Sequence, residues 1–142
     1  MRNFVGLLVF IFASLSLAQG TPEGLWRTID DETGEAKSHV RIESRDGMFY
    51  GTVEEILNPE KKSDVCDKCP GDRLGVPIEG LEIMRDMKPK GDGWAGGSIL
   101  DPKKGKVYKA KMSLNETGEE LTVRGFIGFS LIGRSQFWER VQ

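Results

Sequence analysis

The chain predicts an all-β protein in which about eight antiparallel strands run up and down and close into a barrel. Three observations carry that expectation. From residue 19 onward no stretch holds a helical period, whereas short runs alternate apolar and polar residues. Glycine is abundant, 18 of 142 residues, and much of it falls between those runs, where turns are needed. A meander of hairpin-linked strands leaves two open edges, and pairing the first strand with the last removes both.

The strands follow in order. The first is 24–30 (GLWRTID), closed by the polar turn Asp31-Glu32-Thr33-Gly34. The second, 36–44, puts Val40 and Ile42 on one face and His39, Arg41 and Glu43 on the other; Asp46-Gly47 is a strong hairpin signal, and 48–57 returns as the third. Residues 58–72 (NPEKKSDVCDKCPGD) break the rhythm with prolines, cysteines and charge, and read as a long surface excursion. Residues 77–88 resume an apolar pattern through Ile78, Leu81, Ile83, Met84 and Met87, whose spacing fits one helical turn or a distorted strand; a strand is expected. Gly91-Asp92-Gly93 leads into 94–100, and the turn 101–105 leads into 106–114. That run is the clearest strand: Tyr108, Ala110, Met112 and Leu114 share its dry face. Residues 120–127 and 134–141 complete the set, with Gly125, Gly128 and Gly133 marking a bent corner.

The first eighteen residues have a different character. Met1-Arg2-Asn3 precedes an apolar stretch from Phe4 to Leu17, and Ser16-Leu17-Ala18 offers small residues at a cleavage point, so residues 1–18 read as a secretory signal peptide cut after Ala18. A run of this length falls short of the roughly 20 apolar residues that span a bilayer. A single domain over 19–142 is expected, exported to a periplasmic or secreted location. Cleavage takes away Arg2 alone among charged residues and shifts the formal net charge from −2 to −3, which argues against a grip on nucleic acid.

Gly24-Leu25-Trp26 resembles the G-x-W that opens the first strand of lipocalin-like calycin barrels. That resemblance implies that a basic residue late in the last strand covers the indole, and Arg140 stands where it is expected. Nearly the whole of 19–142 is similar to a family of exported bacterial proteins known as Domain of Unknown Function 2147, through GLWRTIDDETGEAKSHVRI, CDKCPG, GWAGGSILDPKKGKVYKAKM and LTVRGFIGFSLIGRSQFWERV. It implies a periplasmic setting and transfers no activity and no functional residue.

Few residues suggest chemistry. Cys66 and Cys69 form C-x-x-C in a loop, with Pro70 following and no helix to lower a thiolate pKa. A disulfide clip stiffening the loop is the plainest reading in an oxidising compartment; thiol–disulfide exchange, favoured by Lys61, Lys62 and Lys68, stays open. Zinc would need four ligands, and the chain offers these two thiols and one histidine, His39, which reads as a solvent-facing strand residue. Asp30, Asp31 and Glu32 read as turn residues. Gly91, Gly93 and Gly96 spell G-x-G-x-x-G outside the strand–helix setting a dinucleotide requires. Asn115-Glu116-Thr117 spells a glycosylation acceptor and reads as a turn. No catalytic residue, metal site or cofactor is expected.

Ligand contacts are expected from aromatic, sulfur-containing or charged side chains projecting into the barrel: Tyr50, Trp94, Tyr108, Met112, Arg124 and Phe126. An eight-stranded barrel can be filled by side chains or hold one small ligand. The sequence thus leads to a non-catalytic periplasmic barrel that binds a small apolar or amphipathic molecule or a cell-envelope component. The alternative is a protein-interaction module of the envelope acting through the Cys66–Cys69 loop.

Overall fold

The computed structural model describes residues 5, 6, 8–11 and 20–142; the expected cleavage point at Ala18 and most of the expected signal segment lie outside the described residues. Eight strands follow one another: β1 (Gly24–Ile29), β2 (Ala36–Arg45), β3 (Met48–Ile56), β4 (Glu82–Lys90), β5 (Gly93–Asp101), β6 (Lys106–Leu114), β7 (Glu120–Phe126) and β8 (Gly133–Arg140). Each pairs antiparallel with its neighbour in sequence, and β8 returns to β1, which closes the barrel. The closing seam is short: Trp26 faces Arg140, Arg27 faces Glu139, and the Val141 amide donates to the Leu25 carbonyl at 2.9 Å. Among the described residues the remaining regular structure is two 3₁₀ turns, Pro59–Lys61 and Gly71–Arg73.

Alternation sorts the side chains. Trp26 and Thr28 on β1, Val40 and Ile42 on β2, Val53 on β3, Ala110 and Met112 on β6, Leu121 and Val123 on β7, and Trp138 on β8 are buried and share the inner face. Strands β4 and β5 depart from it. Asp86 (φ 58°) and Gly96 (φ 80°) sit in the left-handed region at one level of the sheet, and each is an extra residue relative to the outer neighbour strand. The bulges reset the phase of both strands, so Met84 and Met87, three residues apart, are both fully buried in the core. This explains the irregular apolar spacing expected to form a strand over 77–88. The strand begins only at Glu82, because 77–81 still belongs to the preceding connection: Pro77 bridges Val65, and the Leu81 carbonyl accepts from the Val53 amide.

That connection corrects the reading of 58–72 as a surface excursion. Ile83 and Leu100 point away from the interior by strand alternation and are nonetheless buried, in one cluster with Cys66, Cys69, Val76 and Ile78. The connection therefore folds back over the outer wall of β4 and β5, and its buried side chains extend the core outward on that side. Arg73 is buried there with its Nη1 donating to the Glu82 carbonyl at 3.2 Å. Arg85 carries the rim, bonding Asp72 and Glu82, and the guanidinium holds the Asp72 carboxyl below the usual carboxylate range.

Candidate functional site

One end of the barrel is sealed from the sequence outward. Gly24 takes φ 130°, a conformation L side chains rarely adopt, and a Cβ there would come within 2.7 Å of Arg140 Nη1. The free space lets the Arg140 guanidinium lie 4.3 Å from the Trp26 ring centroid. Its nitrogens donate to the carbonyls of Gly118 (2.9 Å), Glu23 (2.8 Å) and Thr21 (3.0 Å), while Trp26 Nε1 donates to the Pro22 carbonyl at 2.8 Å. The expected Trp26–Arg140 pair thus joins the seam, the β6–β7 turn and the segment before β1 into one plug.

Above that plug the interior is occupied by side chains, with Met84, Met87 and Met112 lying among Val40, Ile42, Leu121, Val123 and the two buried tryptophans. Toward the opposite end, which carries the turns 30–35, 102–105 and 127–132, the lining becomes two-sided. On one wall, adjacent strands β2, β1 and β8 contribute Ser38, Thr28 and Gln136. Thr28 Oγ1 and Ser38 Oγ share a hydrogen bond of 2.7 Å, and Trp138 Nε1 donates to Gln136 Oε1 at 3.2 Å. On the other wall, Ile99 and Tyr108 are paired across β5 and β6 and are half-buried. A Cβ on Gly125 would stand 3.2 Å from Ile99 and 3.3 Å from Tyr108, so that glycine is the surface on which both lie. Arg134 closes the rim by reaching from β8 to Asp31 and Glu32 in the β1–β2 turn. Asp30 anchors the same turn: its Oδ1 accepts from the amides of Glu32 (2.8 Å) and Thr33 (3.1 Å), which holds its carboxyl below the usual range.

The six residues expected to meet a ligand divide evenly. Trp94, Tyr108 and Met112 line the interior: Trp94 pairs with Met112 near the Trp26 end and stands edge-on to Phe49, ring centroids 6.0 Å apart. Tyr50, Arg124 and Phe126 are on the outer face. Tyr50 lies under Arg45, whose guanidinium is 3.8 Å from the ring centroid, and donates to Asp86 Oδ1 at 2.8 Å, which pushes its hydroxyl pKa up. Arg124 reaches out to the β7–β8 turn, donating to the Ser130 carbonyl (2.7 Å), the Leu131 carbonyl (3.4 Å) and Ser135 Oγ (3.0 Å). Phe126 pairs with Lys109, on the wet side of β6. In both misplaced aromatics the cause is the same: a glycine, Gly51 or Gly125, occupies the neighbouring inward position.

Thr28, Ser38, Ile99 and Gln136 complete the lining, and the sequence reading does not single them out. Counting by twos from Trp26, Val40 and Trp138 reaches three of them, whereas Ile99 is hidden by the bulge at Gly96. Cys66 and Cys69 form a disulfide and are buried, with Cys66 Sγ 3.5 Å from the Pro102 carbonyl. Burial keeps the pair from the sulfur-to-sulfur approach that exchange requires. His39 is on the outer face as expected but largely covered, Nδ1 3.6 Å from Glu55 and Nε2 without a hydrogen-bond partner among the described residues. Gly91, Gly93 and Gly96 sit in and after a β-hairpin, and Asn115 Oδ1 accepts from the amides of Glu119 and Glu120 within a turn.

A closed eight-stranded meander sealed by a G-x-W tryptophan under an arginine defines a lipocalin-like barrel. A solved structure described as protein HP1028 from the human pathogen Helicobacter pylori, which belongs to the lipocalin family, is similar over 84% of this chain and 82% of that one, with a TM-score of 0.74 and 20% sequence identity. The chain belongs to the family described as "Uncharacterized protein conserved in bacteria (DUF2147)", whose model matches residues 24–140. No curated protein matches in sequence.

Proposed function

We propose that the chain is an exported bacterial protein whose barrel binds a small apolar or amphipathic molecule through the end opposite Trp26, without covalent chemistry. The observation that carries this reading is the two-sided lining at that end. Ser38, Thr28 and Gln136 offer hydroxyl and amide groups on one wall, and Ile99 and Tyr108 offer apolar surface on the other. A molecule with a polar group and a short apolar body satisfies both. Beneath it lie three buried methionines, unbranched side chains that change rotamer at little cost and so let a filled interior admit a guest. The lipocalin-like fold supports the same reading at the level of the fold. Docking of an envelope protein through the Cys66–Cys69 loop has less support, since both cysteines face the barrel wall.

The test is titration of the purified barrel with straight-chain fatty acids and with an apolar dye, followed by tryptophan fluorescence and native mass spectrometry. One-to-one saturable binding is expected, and Tyr108→Ala should weaken it about tenfold, the equivalent of roughly 1.4 kcal/mol of lost apolar contact. Absence of saturable binding across the panel overturns the proposal. For export, sequencing the amino terminus of the protein recovered from a bacterial host should read from Gln19; a start at Met1 contradicts it.

A further inference from the structure

At the proposed entrance stands a loop that a water-soluble barrel has no internal need for. Ile127, Phe129, Leu131 and Ile132 are 64%, 78%, 91% and 71% exposed, four large apolar side chains within six residues of the β7–β8 connection. A patch of this kind marks a surface that meets something apolar. Two further features say what. The first is the backbone. The Ile132 amide donates to the Phe129 carbonyl at 3.0 Å, and Arg124, rooted in β7, donates to the carbonyls of Ser130 and Leu131. Three carbonyls at the tip, those of Phe129, Ser130 and Leu131, are thus already satisfied, which lowers the cost of bringing this polypeptide to a lipid interface.

The second feature is charge. The β5–β6 turn is at the same end of the barrel and carries Lys103 and Lys104, Lys106 opens β6 beside it, and Lys109 on β6 is paired with Phe126 at the foot of the loop. All four lysines are exposed and none joins an ion pair among the described residues. The acidic residue of that turn, Asp101, turns its Oδ1 onto the amides of Lys103 and Lys104. On the other flank Arg134 holds Asp31 and Glu32 and Lys37 holds Asp30, so that among the described residues Glu35 is the one carboxylate of that turn outside an ion pair, against four such ammonium groups. This end therefore presents apolar tips flanked by free ammonium groups.

We propose that the 127–132 loop docks the barrel on an anionic lipid surface, with Phe129 and Leu131 entering the interface and the four lysines meeting lipid phosphates. The docking does not depend on what the interior binds. The experiment is co-sedimentation of the purified protein with vesicles of phosphatidylcholine, with and without phosphatidylglycerol. Binding is expected on the phosphatidylglycerol vesicles and should fall steeply with added salt, which screens exposed charges. Phe129→Ser combined with Leu131→Ser should weaken it at least tenfold with an unchanged melting temperature. Each lysine replaced, as in Lys103→Gln and Lys104→Gln, should weaken it about fivefold. A Phe129→Trp variant gives a direct reading, since its added emission should shift to the blue and be quenched by brominated lipid. Wild-type protein that ignores both vesicle types overturns the proposal. So do loop variants that bind like wild type, added emission from the Phe129→Trp variant that does not respond to lipid, and sedimentation in which the loop variants dissolve a dimer instead.

Discussion

Arg140 places its guanidinium against Trp26 and on three carbonyls from two separate segments, so one side chain fixes the seam and the plug together. Arg140→Ala should lower stability by roughly 2–4 kcal/mol in urea denaturation, combining the lost cation–π contact with unpaired carbonyls. Arg140→Lys should recover only part of it, because a single ammonium cannot reproduce the planar fork; full recovery would contradict the assignment. Asp30 acts through charge on the β1–β2 turn. The amides of Glu32 and Thr33 lower its folded pKa, so the unfolded chain holds the proton more tightly. Its stabilisation is complete above the usual carboxylate range and disappears as pH falls through the folded value. Asp30→Ala should therefore lower the urea midpoint near neutrality and make no difference in strong acid; an equal deficit at both contradicts this role.

At the scale of elements, the connection between β3 and β4 behaves as part of the barrel wall. Cys66→Ser with Cys69→Ser should cost about 2 kcal/mol, the chain-entropy value for so short a loop, and deleting residues 60–72 should destabilise the whole barrel, since Cys66 and Cys69 are buried against it. Equal thermal unfolding of the deletion variant and the intact protein would show the connection to be a mere appendage. The same elements show what the sequence makes legible. Strand β6 is plain because Tyr108, Ala110 and Met112 alternate with lysines. Strand β4 is obscured because its phase is reset at Asp86, which tolerates the left-handed conformation but, unlike Asp46 before Gly47, stands mid-run with no adjacent glycine to mark it. The inner faces of β3 and β7 are obscured because Gly51 and Gly125 take inward positions and leave Tyr50 and Phe126 looking like lining residues.

For the whole molecule, closure follows from sequence logic, since an even-numbered meander brings Trp26 beside Arg140. The state of the interior does not, because filling depends on how side chains from eight strands meet. What they form is a barrel plugged at one end, filled with pliable methionines in the middle, and two-sided at the other end. The most direct test of binding through that end is a nuclear magnetic resonance titration of the methionine methyl groups with a fatty acid. Saturable shifts are expected at Met84, Met87 and Met112, moved to higher fatty-acid concentration by Tyr108→Ala. Shifts confined to Met48, or none at any concentration, would contradict binding inside the barrel.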